Sequence, residues 1–291
     1  MKEIVILSGK GGTGKTSITG AFAVLAGQQA IIADCDVDAA NMHLLLAPDF
    51  AERNDFYSGE LAVIDSNKCT QCGICAYKCR FGAFSLSNGT YVLDPLSCEG
   101  CGYCQITCPE GAISLVPRKA GQVFVSTTKV GSTMVHAKLD IGAENSGKLV
   151  AKVKNSAQEL AKLMHKELVI VDGSPGIGCP VVSSLAGANY VVLVTEPTVS
   201  GLHDLERIAG VIQKFRIPMG CIINKFDINP EMSTQISHFL SSNGIDYLAS
   251  IPLDPSFTKA MADAKTIVET QLPAKSIIEE VWATLTKKLI N

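Results

Sequence analysis

A repeated thiol spacing limits this chain more than any other feature. Cys69-Thr-Gln-Cys72-Gly-Ile-Cys75-Ala-Tyr-Lys-Cys79 is one run, and Cys98-Glu-Gly-Cys101-Gly-Tyr-Cys104-Gln-Ile-Thr-Cys108, followed by Pro109, is the other. Each cysteine of the second run lies 29 positions after its counterpart, and the repeat extends into Phe81-Gly82-Ala83 and Glu110-Gly111-Ala112. The runs use eight of the 11 cysteines. C-x2-C-x2-C-x3-C is the spacing that binds 4Fe–4S clusters: a tight loop offers three thiolates to three irons, and a fourth thiolate closes the cube. Disulfides would imply a small secreted domain, and no secretory signal opens this chain, so a reducing, cytoplasmic setting is expected. Zinc usually takes two C-x2-C pairs separated by a longer spacer.

From about residue 63 to 116 the segment resembles bacterial-type ferredoxins, in which the fourth cysteine of each run ligates the other cluster. The resemblance implies Cys69, Cys72, Cys75 and Cys108 on one cluster, and Cys98, Cys101, Cys104 and Cys79 on the second. Arg80 departs from the pattern, standing where the second run has Pro109. Its positive charge could raise a cluster potential, although an exposed arginine would do little.

The N-terminus carries the other strong motif. Glu3 to Ser8 reads as an apolar strand. Gly9-Lys10-Gly11-Gly12-Thr13-Gly14-Lys15-Thr16 follows, fitting G-x-x-x-x-G-K-[ST], and a helical stretch runs from about Lys15 to Gly27. Strand, glycine loop and helix together make a phosphate-binding site. The backbone N–H groups converge on phosphate oxygens, and the helix N-terminus adds positive potential. Gly11, Gly12, Thr13, Gly14, Lys15, Thr16 and Ser17 are the expected nucleotide contacts, with Lys15 on the β/γ-phosphates and Thr16 on Mg2+.

The form G-K-G-G-T-G-K-T is similar to the deviant Walker A family, which includes MinD, ParA, the Mrp-type cluster carriers and the nitrogenase iron protein. The resemblance implies that Lys10 crosses a dimer interface to the partner's phosphates, so a homodimer is expected in the ATP state. It also implies that Asp36, at the end of Ile31-Ile32-Ala33-Asp34-Cys35-Asp36, is the switch I residue that positions the attacking water, with Asp38 a nearby alternative. Leu168 to Asp172, with Gly173-Ser174-Pro175-Gly176, looks like Walker B and switch II, placing Asp172 on the magnesium water shell. Lys10, Lys15, Asp36 and Asp172 are thus the catalytic candidates.

With 291 residues and 47% apolar content the chain can bury a substantial core. A net charge of −3 offers no basic field for nucleic acid, and no apolar run approaches the roughly 18 residues of a membrane span. Apolar strands at 190–194 and 219–223 flank a helical pattern over 200–215, for which Ser200 is a plausible N-cap. Such alternation indicates an α/β fold with a doubly wound, mostly parallel sheet, and the resemblance implies a P-loop NTPase of SIMIBI type. The cysteine block lacks that rhythm. It reads as an inserted, small ferredoxin-like α+β domain at 63–116, with 1–62 and 117–291 forming the ATPase domain.

Residues 121–146 read as a strand pair turning near Gly131. Residues 142–147 then lead into a helix at 148–163, as a loop with a possible partner contact. Asn224-Lys225-Phe226-Asp227 matches N-K-x-D, which in GTPases reads guanine through its aspartate; in the deviant Walker A family the asparagine contacts adenine, which favours ATP. Cys35 and Cys221 are expected in the core. Cys179 stands seven residues after Asp172, the offset of a cluster ligand in the nitrogenase iron protein, but it is expected as a small buried hydrophobe. The stretch 276–289 is amphipathic and expected to pack on the domain rather than on lipid.

The leading function is an ATPase that couples nucleotide-dependent dimerisation to electron transfer through two 4Fe–4S clusters, with a redox or target protein as partner. Two alternatives stand beside it. One is an Mrp-type metallocofactor assembly ATPase, although no C-x-x-C lies outside the two runs. The other is a MinD- or ParA-like positioning or scaffold ATPase.

Overall fold

The computed structural model describes residues 1–38, 40–143 and 146–290. Glu144 and Asn145, within the loop expected as a partner contact, lie outside the described residues. In chain order the main elements are β1 (Lys2–Leu7), α1 (Lys15–Ala26), β2 (Ala30–Asp34), α2 (Met42–Leu46), β3 (Glu52–Ile64), α3 (Ile74–Lys78), β4 (Phe84–Ser87), β5 (Thr90–Leu93), α4 (Tyr103–Thr107), β6 (Ile113–Thr127), β7 (Thr133–Leu139), α5 (Ser146–Leu163), β8 (Leu168–Asp172), α6 (Cys179–Leu185), β9 (Tyr190–Thr195), α7 (Val199–Lys214), β10 (Met219–Asn224), α8 (Pro230–Ser242), β11 (Asp246–Ile251), α9 (Ser256–Ala262) and α10 (Ala274–Ile290).

Nine strands form one sheet in the order β11-β10-β9-β1-β8-β2-β7-β6-β3. From β11 to β7 every neighbouring pair is parallel. Strands buried on both faces need continuous apolar sequence, and β8 (LVIVD) and β9 (YVVLVT) are buried at every position. The chain passes from β8, on one side of β1, to β9 on the other. That reversal opens a crevice at the carboxyl ends of the central strands, where open α/β sheets bind ligands.

The chain divides into two compact units: residues 1–54, 123–138 and 146–291, and residues 55–122 with 139–145. Strands β3 and β6 run unbroken through the expected boundaries at 63 and 116. Most of β3 is exposed and polar (ERNDFYSGE), which is why its sequence carries no clear strand signal.

The first unit has an extensive core on the α1 and α10 face of the sheet, where Phe22 meets Trp282 at a ring separation of 5.3 Å. Helix α10 buries Ile278, Val281 and Leu285, with Ile277 and Leu289 packed partly against the same core. The amphipathic face of 276–289 is therefore satisfied within the protein. Among the described residues no helix is long and apolar enough to cross a membrane. Strands β6 and β7 flank the turn at Gly131, whose φ of 76° suits glycine.

The second unit has a much smaller core, centred on Ala62, Ala83, Cys98 and Ile113. Its two cysteine runs fold alike. Gly73 and Gly102 both take φ 76° and open the one-turn helices α3 and α4, so the sequence repeat is also a structural one. A side chain at Gly73 would bring its Cβ to 2.6 Å from the Tyr91 hydroxyl.

Opposite the crevice, a buried ion pair ties the first unit together. Lys154 on α5 meets Glu3 on β1 at 2.7 Å, with both side chains almost fully buried, and also donates to the Ser184 and Ala186 carbonyls at the C-terminal end of α6. Gln158 donates to the other Glu3 oxygen at 2.7 Å. Removing one partner strands a desolvated charge, so Lys154→Ala should cost about 3–5 kcal/mol in urea unfolding. A loss below about 1 kcal/mol would mean that the pair contributes little.

Candidate functional site

The loop between β1 and α1 is shaped by close approach. Gly14 has φ 93°, and a Cβ there would sit 2.4 Å from Asn224 Nδ2. Asn224 ends β10 and donates from Nδ2 to the Thr13 carbonyl at 2.8 Å, while its Oδ1 accepts from Lys225 N at 3.0 Å. Residues far apart in sequence thus fix the loop's path.

Lys15, Thr16, Asp36 and Asp172 come together at the carboxyl ends of β1, β2 and β8. Lys15 Nζ lies 2.9 Å from Asp172 Oδ1 and 3.5 Å from Asp36 Oδ2. The hydroxyls of Thr16 and Thr19 donate to Asp172 Oδ2 and Oδ1, each at 2.8 Å. Asp172 is wholly buried, so these donors compensate a carboxylate without water. Burial alone would lower the Lys15 pKa, but Asp172 and Asp36 outweigh it and keep the ammonium charged. Burial raises the Asp36 pKa, with Lys15 opposing.

Sequence reasoning passed over Asp34. It is 1% exposed, accepts only the Asp36 N–H through Oδ1 at 3.1 Å, and its Oδ2 has no hydrogen-bond partner among the described residues. Burial, and then Asp172, push its pKa up to about 8. An acid ending an otherwise apolar strand, two residues before another acid, was the available signal.

Lys10 is engaged within its own chain, 2.7 Å from Glu196 and donating to Thr198 Oγ1 at 3.1 Å and Ser200 Oγ at 2.9 Å. Glu196 also holds Lys225 at 3.0 Å, and Lys225 donates to the Gly12 carbonyl at 3.2 Å. The α7 N-cap is Thr198, which accepts from Gly201 N at 2.9 Å, and not Ser200. Threonine two residues earlier has the extended backbone that capping needs.

A cavity of about 210 Å³ beside the loop is lined by Gly12, Gly14, Ser17, Asn224 and Lys225, and on its other side by residues 252–255, Phe257, Thr258 and Met261. Asp227 accepts from Leu253 N at 2.7 Å, so one of its oxygens is already committed to the loop. Gly11 and Gly12 have open space where a side chain would stand.

In the second unit one cavity, of about 310 Å³, is lined by Cys79, Cys98, Cys101 and Cys104. A narrower one is lined by Cys69, Cys72, Cys75 and Cys108. No described cysteine is in a disulfide. Among the described residues, no three His, Cys, Asp or Glu side chains converge as they would around a single metal ion. Burial raises the thiol pKa values of Cys75 and Cys104. Cys35 and Cys221 are buried as expected. Cys179 is not: it is exposed at the first position of α6, because the turn of the glycine-rich segment 173–178 leaves the helix start uncovered.

The Asp34 environment gives a pH signature. Unfolded, its carboxyl ionises near the ordinary value of 3.8; folded, only near 8. Across that window the folded state holds the extra proton, so nucleotide-free protein loses stability as pH rises and levels off above it. Asp34→Asn should flatten this slope, by at most about 1.4 kcal/mol per pH unit, and stabilise the protein at pH 8. Parallel thermal melts of the two proteins from pH 5 to 9 would contradict the assignment.

A family model described as the CobQ/CobB/MinD/ParA nucleotide binding domain matches residues 4–267. An uncharacterized protein of Methanocaldococcus jannaschii is 31% identical over 286 residues, covering 97% of this chain and 96% of the relative. The septum site-determining protein MinD of Synechocystis is 25% identical over 281 residues, covering 95% and 82%. The solved cell division ATPase MinD of Pyrococcus furiosus has the same fold, with a TM-score of 0.58 at 18% identity over 99% of both chains. The chain therefore belongs to the CobQ/CobB/MinD/ParA family of P-loop nucleotide-binding domains.

Proposed function

We propose that this protein is an ATP-dependent switch of the MinD/ParA type whose second unit holds two 4Fe–4S clusters. The gathering of Lys15, Thr16, Asp36 and Asp172 around the glycine loop carries the first half of this reading. ATP phosphates would meet Lys15 and the backbone N–H groups of 11–16, and the 210 Å³ cavity beside Asn224 would take the adenine. Mg2+ would be held by Thr16, with Asp172 behind it. Asp36, buried and within reach of Lys15, would orient an attacking water. For Lys10 to reach a second subunit's phosphates, it must first leave Glu196.

The cysteine sites fit the clusters by chemistry and grouping. Thiolates on a four-iron cube each bind a different iron. They therefore line a cavity rather than converge on one point, which is how the two sets of four are arranged. Bound clusters would supply one-electron chemistry, and they would cross-link a unit whose own core is small.

The named relatives are septum-site and cell-division proteins, and they support the positioning or scaffold reading better than the electron-transfer reading with which the sequence analysis leads. Electron transfer is retained as a second reading because two four-cysteine sites serve no evident purpose in a pure positioning protein. Mrp-type assembly has less support, since no further C-x-x-C exists to carry a transferable cluster.

Anaerobically purified protein should hold about eight irons per chain and form dimers with ATP on size exclusion. Lys10→Ala should keep the iron and remain monomeric. Stoichiometric zinc would defeat the cluster assignment, and a normal ATP-dependent dimer of Lys10→Ala would defeat the switch mechanism.

A further inference from the structure

Equivalent spacing does not make the two cysteine sites equivalent. Two cations, Lys78 and Arg80, and one acid, Glu99, line the cavity of Cys79, Cys98, Cys101 and Cys104. Among the described residues, the one charged side chain lining the other cavity is Glu110. Arg80 and Lys78 are exposed, so solvent and salt screen them. Arg118 differs. It is half-buried on β6, donating from Nη1 to the Cys98 carbonyl and from Nη2 to the Gly142 carbonyl, each at 3.1 Å. Cys98 itself is only 6% exposed. A guanidinium is thus clamped to the backbone of one ligand run, and the 69–79 run has no such partner among the described residues.

We propose that Arg118 is a positioning residue for the 98–108 run, and that its charge gives a cluster held by Cys79, Cys98, Cys101 and Cys104 the higher of the two reduction potentials. The inference rests on the cluster reading above. Cluster potentials respond to net charge, to hydrogen bonds on sulfur and to solvent exposure. A fixed cation favours the added electron. One interaction opposes this: Ala112 N–H donates to Cys108 Sγ at 3.3 Å and favours reduction at the other site. That is a neutral dipole set against a full charge, and the charge outweighs it because its field falls off more slowly with distance.

The test is a spectroscopically monitored redox titration of the anaerobically purified full chain, with iron measured on each sample. Wild-type protein should show two separate one-electron waves. Arg118→Gln keeps an N–H donor for the Cys98 carbonyl but loses the charge, so the upper wave should move down toward the lower one, which stays in place. Arg118→Lys should restore most of the separation, as a merely structural contact would not. Arg80→Met should move either wave much less. Superimposable Arg118→Gln and wild-type titrations at equal iron content would overturn the proposal. So would loss of half the iron in Arg118→Gln, which would make the residue a structural clamp only. Wild-type protein without iron would instead sink the cluster reading, and this inference with it.

Discussion

The buried Asp172 carboxylate organises the nucleotide-binding unit. It sits at the end of β8, flanked in register by Ile6 of β1 and Asp34 of β2, and it gathers Lys15, Thr16 and Thr19 onto its two oxygens. A wholly buried anion is tolerable only when donors surround it. Those donors come from the glycine loop and the first turns of α1, so the requirement to satisfy one charge also fixes the loop against the sheet. On the proposed reading, an incoming phosphate would compete with Asp172 for Lys15, which would link nucleotide occupancy to the segment that follows β8.

Most of that arrangement was legible in the sequence. The apolar strands, the glycine loop and the parallel α/β architecture follow from local patterns, whereas Asn224 was expected as an adenine contact only through the family resemblance, and its bond to the Thr13 carbonyl was not foreseen. Features made by long-range pairing were not legible. Glu196 has no local signature, yet it holds both Lys10 and Lys225. Asp34 looked like a neighbour of Asp36, and only the burial of β2 shows it to be the more constrained acid. Cys179 was expected inside, but its exposure depends on the path of a glycine-rich turn that sequence does not fix.

The second unit follows different physics. Its apolar core is slight, its two runs repeat one glycine-initiated helical turn, and eight thiols line two cavities. Bound clusters would add cross-links that its few apolar residues do not provide. The sets of four that the ferredoxin resemblance implies are the ones that line the two cavities, while the electrostatic difference between the sets depends on Arg118, which lies outside both runs.

The central claim is that Lys15, held by Asp172, is the main cationic contact for bound nucleotide. Calorimetric titration of MgATP into wild-type and Lys15→Ala protein tests it directly. Saturable binding by the wild type, weakened at least about tenfold in the variant, is the predicted result, given the strength of hydrogen bonds to charged groups. Equal affinities in two equally folded proteins would contradict it.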